Sequence, residues 1–150
     1  MTYNEWNEAF SVEVEAIDKQ HYKIIELIAE LVEGFRDFRG DQIINDVLND
    51  LKEYSVYHFG FEELLFMKYK YDNAEQHIGE HKKFIGKIEQ LALDAQKNAV
   101  ETPFETLVFL RSWLQTHILS ADKEYVGFMK TKDAIKDIGF PESDKNKTFT

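Results

Sequence analysis

Apolar residues recur at intervals of three and four over four long stretches of the chain, which predicts four amphipathic helices. The stretches cover about residues 21–35, 44–65, 77–91 and 107–125. None has the strict alternation that is typical of a strand, so the expected fold class is all-α. Helices of roughly 20 residues joined by short links favour an up-down antiparallel four-helix bundle.

Polar and turn-forming residues mark where these helices are expected to begin. Asp18 is the expected N-cap of the first helix, and Asn73 resembles part of a capping box before the third. Thr102 is the expected N-cap of the fourth helix, because Pro103 follows it and suits the first helical position.

The whole chain, residues 1–150, is expected to form a single domain. Its parts are an N-terminal arm of about residues 1–17, the bundle of about residues 18–130, and a short C-terminal extension of about residues 131–150. The arm carries Trp6 and Phe10, which we expect to pack over one end of the bundle. In the tail, residues 133–138 form a short amphipathic piece that suggests one more helical turn.

The composition limits the classes of partner. The chain has a formal net charge of −10, which would repel the phosphates of nucleic acid. No apolar run approaches the roughly 20 residues that span a bilayer, and the start lacks the basic and apolar regions of a secretory signal. The absence of cysteine excludes disulfides and thiolate metal sites. We therefore expect a cytoplasmic monomer that neither inserts into a membrane nor binds nucleic acid.

All the histidines lie on the apolar stripes of the predicted helices; they are His21, His58, His77, His81 and His117. Taken singly, each has an ordinary explanation, such as a surface pair with a carboxylate or a hydrogen-bonded core histidine. Five separately buried histidines would each need a hydrogen-bond partner, and the neighbouring positions offer few. A metal centre would satisfy all of them together, and each predicted helix contributes at least one.

Two carboxylates extend this set. Glu62 follows His58 by four residues, which places both on one face of a helix. Asp122 follows His117 by five, an advance of about 140° on an ideal α-helix. That pair converges only if the helix contains a π-type bulge or if Asp122 approaches from the side. Seven nitrogen and oxygen donors exceed what one tetrahedral zinc needs and suit two ions of iron or manganese.

Four motifs carry a resemblance to a known family. They are Ile17-Asp18-x-x-His21, His58-Phe59-x-x-Glu62-Glu63, His77-x-x-x-His81 and Trp113-Leu114-x-x-His117-Ile118-x-x-x-Asp122. In these motifs and their order, the chain resembles the hemerythrins, particularly the single-domain bacteriohemerythrins, over about residues 6–128. The resemblance implies the up-down four-helix bundle. One departure is Glu13, which stands where glycine is frequent in the family.

The resemblance also implies a cofactor of two iron ions joined by an oxo or hydroxo group. Carried onto this sequence, His77, His81 and His117 bind one iron, His21 and His58 bind the other, and Glu62 and Asp122 bridge the two. The second iron then has one open position, where dioxygen binds. Apolar neighbours of the ligands would form the wall of the pocket and slow autoxidation; they are Ile24, Phe59, Trp113, Leu114 and Ile118. Leu114 stands at the position that gates ligand access in the family. The candidates for holding imidazole N–H groups or closing the pocket are Asp18, Glu63 and Tyr125.

The function implied is reversible binding of dioxygen for storage, delivery or scavenging, with no catalytic residue and with no indication of a protein acceptor. One alternative is sensing of oxygen, redox state or nitric oxide through a partner. Another is a di-iron redox enzyme. Oxidases of the ferritin-like bundles use Glu-x-x-His pairs, and no glutamate here precedes a histidine at that spacing. The histidine-rich donor set therefore favours binding over catalysis.

Overall fold

The computed structural model describes residues 11–132, and all regular structure in that part of the chain is helical. The elements are α1 (Glu15–Arg36), α2 (Gly40–Tyr69), α3 (Ala74–Lys97), α4 (Thr102–Trp113), a π-helical segment (Leu114–Asp122) and α5 (Lys123–Thr131). The last three follow one another without a break and form one rod. Short links at residues 37–39, 70–73 and 98–101 join four rods, which makes successive rods antiparallel.

This arrangement confirms the predicted all-α four-helix bundle. Among residues 11–132, no helix is both long enough and apolar enough to cross a bilayer. Trp6 and Phe10 of the predicted arm, and the predicted turn at residues 133–138, lie outside the described residues.

The prediction of Asp18 as an N-cap is wrong, because α1 begins at Glu15 and Asp18 already lies in its first turn. An acidic residue is favourable there, since it faces the positive end of the helix dipole. The carboxylate of Asp18 accepts hydrogen bonds from the Ser11 hydroxyl at 2.6 Å and the Val12 N–H at 2.9 Å. Asp18 therefore fastens the preceding segment to α1.

The two other predicted caps also find different partners. Asn73 occupies the N-cap position of α3 but makes no capping hydrogen bond, and its side-chain amide donates to Glu124 instead. Thr102 is the first residue of α4, and its hydroxyl donates to the carbonyl of Asn98 at 2.7 Å. Pro103 lies in the first turn of α4, as predicted.

Among residues 11–132, three residues other than glycine adopt the left-handed conformation: Glu13, Phe38 and Lys70 have φ of 64°, 58° and 54°. Phe38 and Lys70 follow the ends of α1 and α2, where a left-handed residue commonly stops a helix. Glu13 stands at the position where glycine is frequent in the resembling family. The positive φ of Glu13 explains why glycine is frequent at this position, since glycine adopts a positive φ without steric cost.

Two apolar clusters lie at different levels of the bundle. The large core draws on all four rods and includes Ile24, Leu48, Phe84 and Leu110. The small core joins the segment before α1 to the end of α2 and to α5; its members are Val12, Val14, Ile17, Leu65, Phe66, Tyr71, Tyr125, Val126 and Met129. The histidines and their carboxylates occupy the level between the two cores.

Candidate metal centre

All seven predicted metal-binding residues are buried, and none exposes more than 2% of its surface; they are His21, His58, Glu62, His77, His81, His117 and Asp122. Burying so many ionisable groups is unfavourable unless they are paired or bind a metal. Their positions relative to one another therefore decide what the site can do.

Glu62, on α2, lies between histidines of two helices. One of its oxygens contacts Nε2 of His58, one turn earlier on the same helix. The other oxygen lies 3.3 Å from Nε2 of His77 and 3.6 Å from Nε2 of His81, both on α3. The two oxygens of one carboxylate thus serve two different groups of histidines.

Asp122, at the end of the π-helical segment, is placed in the same way. Its Oδ2 lies 3.0 Å from Nε2 of His21 on α1. Its Oδ1 lies 3.1 Å from Nε2 of both His77 and His117. The site therefore has a two-histidine group and a three-histidine group, and each carboxylate directs one oxygen to each group.

The π-helical segment is what brings His117 and Asp122 together. Hydrogen bonding from i to i+5 places residues five apart on one face, whereas an α-helix would turn them apart. The segment runs from Leu114 to Asp122 and includes both side chains. This confirms the first of the two arrangements that the spacing left open.

The donor positions fit metal ions. Metal–nitrogen and metal–oxygen bonds of about 2.1 Å put donors at right angles about 3.0 Å apart. The four contacts of Asp122 and His77 described above lie at 3.0 to 3.3 Å. Both oxygens of Glu62 and of Asp122 are buried without a hydrogen bond among the described residues, as is Nε2 of His117. Nitrogen and carboxylate donors without sulfur suit iron or manganese.

The electrostatics favour a cation. Burial raises the pKa of Glu62 and so does Asp122, but the His58 imidazole and its neighbours outweigh both and leave the pKa below its ordinary value. Burial also raises the pKa of Asp122, and His117 and the other imidazoles again lower it well below the usual range. Both carboxylates are therefore ionised at neutral pH.

The histidines of the three-histidine group differ from one another. Burial lowers the pKa of His77, but Asp122 and Glu62 outweigh it and raise the value to about 10. The same carboxylates raise the pKa of His117 against the effect of its burial. For His81 burial prevails, and the pKa falls to about 3. At neutral pH His77 is therefore protonated, and a metal ion would displace its proton.

Three imidazoles have an oxygen acceptor near Nδ1, the nitrogen that points away from the site. His58 contacts the side-chain oxygen of Gln20, which is fully buried on α1. His81 Nδ1 lies 3.5 Å from Glu63, one of the predicted candidates. His117 Nδ1 lies 3.6 Å from a residue of α3, Glu80. Only the contact of His58 with Gln20 is a hydrogen bond, and it fixes the His58 tautomer whose Nε2 lone pair faces the site; Nδ1 of His81 and Nδ1 of His117 make no hydrogen bond among the described residues.

Sequence reasoning missed Gln20 and Glu80. Gln20 had a signal, because it lies four residues before Ile24 on the apolar stripe of α1, and a polar residue there is expected to be buried with a partner. No sequence signal points to Glu80, since its contact with His117 joins two helices that are distant in sequence.

Tyr125 closes the site on the side of the small core. Its side chain is fully buried, and its ring meets the ring of His77 edge-on at 5.4 Å between centroids. Burial raises the pKa of its hydroxyl well above 10, and Glu62 and Asp122 add to the rise. The phenol is therefore neutral, and its oxygen has no hydrogen-bond partner among the described residues.

The predicted wall residues lie on the side of the large core. Phe59 stacks on the ring of His81, with 3.8 Å between centroids and 5° between planes. Trp113 stacks on the ring of His117 in the same way, at 4.6 Å and 12°. The three aliphatic wall residues, Ile24, Leu114 and Ile118, are buried in the large core. Trp113 packs against that core.

Comparison with known proteins agrees with this geometry. The family model described as the hemerythrin HHE cation binding domain matches residues 12–129. A bacteriohemerythrin of Clostridium acetobutylicum is 30% identical over 125 residues, which cover 81% of this chain and 97% of that protein. A bacteriohemerythrin of Methylococcus capsulatus is 32% identical over 125 residues, covering 80% and 92%. A myohemerythrin of Riftia pachyptila is 27% identical over 122 residues, covering 81% and 90%. No solved structure matches the chain significantly.

Proposed function

This chain belongs to the hemerythrin family, and we propose that it binds dioxygen reversibly at a centre of two iron ions. The observation that carries the proposal is the division of each buried carboxylate between two groups of histidines. A single ion would bind only one of those groups and would leave the nitrogen and oxygen donors that face the other position buried without a metal.

We assign the ligands by these two groups. His77, His81 and His117 hold one iron, His21 and His58 hold the other, and Glu62 and Asp122 bridge them. A bound pair of irons would supply the reversible electron transfer that dioxygen binding requires.

The two groups differ by one donor. With one oxygen from each of Glu62 and Asp122, one group supplies three imidazoles and the other only two. The group of His21 and His58 would thus offer a bound ion one protein donor fewer. A small ligand can then occupy the remaining position without displacing a side chain.

The protein's remaining contribution is to keep the site dry. Phe59 and Trp113 cover the faces of two imidazoles, and Leu114 packs beside them in the large core. An apolar wall excludes water and protons, which would otherwise promote irreversible loss of the reduced ligand. The imidazoles serve as ligands, so no side chain is assigned a catalytic role. We therefore propose a carrier for storage, delivery or scavenging.

The test is an optical spectrum of the iron-loaded full-length chain, recorded through repeated cycles of air and deoxygenation, together with its iron content. We expect two irons per chain and a visible absorption band that appears in air and fades when oxygen is removed. One iron per chain, or a spectrum that never responds to oxygen, would overturn the proposal.

A ligand variant and a matched surface variant sharpen this test. His77→Gln removes a nitrogen that contacts both carboxylates, so we expect loss of iron and of the band. Glu53→Gln changes an exposed residue of α2 and should leave both at the level of the unsubstituted chain. Turnover of a reductant at a steady rate under air would instead favour a redox enzyme.

A further inference from the structure

Iron must cross the protein surface to reach the metal centre, because no ligand residue is more than 2% exposed. A buried metal site therefore needs a path from solvent to its donors. Two cavities formed by the described residues each reach a ligand histidine, the first at His77 and the second at His81. They differ in polarity and in charge, so they suit different solutes.

The first, which we call the polar cavity, lies between the first two turns of α3 and the junction of the π-helical segment with α5. Its volume is about 100 Å³, which is room for about three water molecules at roughly 30 Å³ each. Besides His77, its lining includes Asn73, Gln76, Glu80, Ser120 and Glu124. The outer end of the polar cavity is formed by exposed residues and the inner end by a metal ligand, since His77 is only 2% exposed.

The lining of the polar cavity offers a cation both charge and oxygen donors. It contains two carboxylates, those of Glu80 and Glu124, and no lysine or arginine. The side chains of Asn73, Gln76 and Ser120 add neutral oxygens. Oxygen donors of these kinds can replace part of the water shell of a divalent ion.

The charge of the polar cavity is its own and is not cancelled by its surroundings. The exposed charged residues next to the lining in sequence are two of each sign; they are Lys70, Asp72, Glu75 and Lys123. In the iron-loaded chain His77 is a neutral ligand, so the carboxylates of Glu80 and Glu124 leave the lining negative. A cleft lined by one sign of charge concentrates ions of the opposite sign.

The two carboxylates connect solvent to the buried ligands. Glu124 is exposed, and it accepts a hydrogen bond from the side-chain amide of Asn73 across the mouth of the polar cavity. Glu80 has a side chain that is 37% exposed, and its Oε1 lies 3.6 Å from Nδ1 of His117. At the inner end, Nε2 of His77 is buried and has no hydrogen-bond partner among the described residues.

The second cavity, which we call the apolar cavity, does not suit a hydrated ion. Its walls between α2 and α3 include Val56, Phe59, Ile85 and Gly86. The ring of Phe59 lies flat on the ring of His81, at 3.8 Å between centroids, and covers that ligand. An ion would lose its water there without gaining donors, which is costly, and Lys82 also lines the path.

We propose that the polar cavity is the route by which ferrous iron enters and leaves the metal centre, with Glu124 as the first carboxylate that the ion contacts and Glu80 as the second. The inference rests on the iron centre proposed above. Because Glu124 is exposed, solvent and salt screen its charge from an ion already bound in the centre. Glu124 therefore eases passage without strengthening the bound state, and its loss slows both directions of travel alike.

The test is exchange of iron between the iron-loaded full-length chain and an excess of ferrous ⁵⁷Fe in the absence of air, followed by mass spectrometry. Glu124→Gln removes the charge but keeps an oxygen that can accept the hydrogen bond from Asn73. We expect exchange to slow by about two- to fivefold, the range expected for one exposed charge contact. Glu105→Gln makes the same change at an exposed position of α4 and should leave the exchange rate unchanged.

A steric block separates the two cavities. Ser120→Phe would fill the polar cavity and should slow exchange by at least about tenfold, because an aromatic ring takes the space of the water molecules. Ser112→Phe places the same ring at an exposed position of the same rod, away from the cavity, and serves as the control. Gly86→Leu fills the apolar cavity, where an added Cβ meets no atom within 4 Å, and should not slow exchange.

The iron content and the exchange rate report on different claims. Two irons per chain, with exchange that neither Glu124→Gln nor Ser120→Phe slows, would overturn the route and leave the metal centre standing. Faster exchange in Glu124→Gln would show that this carboxylate holds bound iron and does not pass it inward, which also contradicts the route. Slowing by Gly86→Leu alone would move the route to the apolar cavity. A chain that binds no iron would contradict the centre and the route together.

Discussion

Gln20→Leu tests whether a residue outside the donor set controls how well the site holds metal. The Gln20 side chain is fully buried, and its amide oxygen accepts a hydrogen bond from Nδ1–H of His58. Leucine has a similar volume and suits the surrounding core, so the substitution removes the acceptor with little change in packing. His58 keeps its place but loses the contact that directs its Nε2 into the site.

The expected magnitude follows from burial. A buried N–H left without an acceptor costs about 1–3 kcal/mol. Loss of an outer hydrogen-bond partner of a metal ligand typically lowers metal affinity about 10–100-fold, or roughly 1.4–2.8 kcal/mol. The two ranges agree, so we expect iron to dissociate 10–100-fold faster from the Gln20→Leu variant.

Glu80 provides the internal comparison. It lies 3.6 Å from Nδ1 of His117, but its side chain is 37% exposed, so water can replace it when it is removed. Glu80→Leu should therefore change the iron dissociation rate by less than about threefold. Gln42→Leu makes the same chemical change as Gln20→Leu at an exposed position of α2 and serves as the control.

The assay is transfer of iron to a strong chelator, followed optically at fixed pH. The reasoning would be refuted if Gln20→Leu released iron at the rate of the unsubstituted chain. It would be refuted equally if Glu80→Leu accelerated release as much as Gln20→Leu, because burial would then not determine the effect.

Three further outcomes are expected. Leu114→Ala opens space in the wall of the site and should speed autoxidation at least several-fold, seen as faster decay of the oxygenated spectrum in air; equal decay would place the gate elsewhere. The metal-free chain should be most stable near pH 6.5 in urea titrations. His77, with its pKa raised to about 10, contributes stability that is present below pH 6.5 and is lost as the pH rises toward 10. His81, with its pKa lowered to about 3, withdraws stability as the pH falls from 6.5 toward 3. A monotonic pH profile would contradict this combination. Phe38→Gly should raise the free energy of unfolding by about 1 kcal/mol by relieving the left-handed strain, and a decrease would show that the ring is packed.

Helical periodicity explains why the histidine positions could be predicted. Each histidine shares an apolar stripe with core residues, and a stripe faces the interior whatever the details of packing. The pair of His117 and Asp122 shows the limit of this argument. Its spacing was compatible with two arrangements, and only the described backbone selects the π-helical one.

Features that depend on contacts between distant segments could not be predicted. Asn73 suits an N-cap locally, yet its amide reaches Glu124 on α5. Phe35 continues the apolar stripe of α1, which by itself predicts an inward-facing side chain, but it is 43% exposed because the helix ends one residue later. A stripe predicts which face of a helix turns inward and leaves open how far along its length that face is covered.

The central claim is that five imidazoles and two carboxylates hold two irons. Anomalous diffraction at the iron edge, from crystals of the iron-loaded chain, tests it most directly. We expect two separate peaks, one among Nε2 of His77, His81 and His117 and the other beside Nε2 of His21 and His58, with Glu62 and Asp122 between them. A single peak, or peaks away from these side chains, would contradict the account.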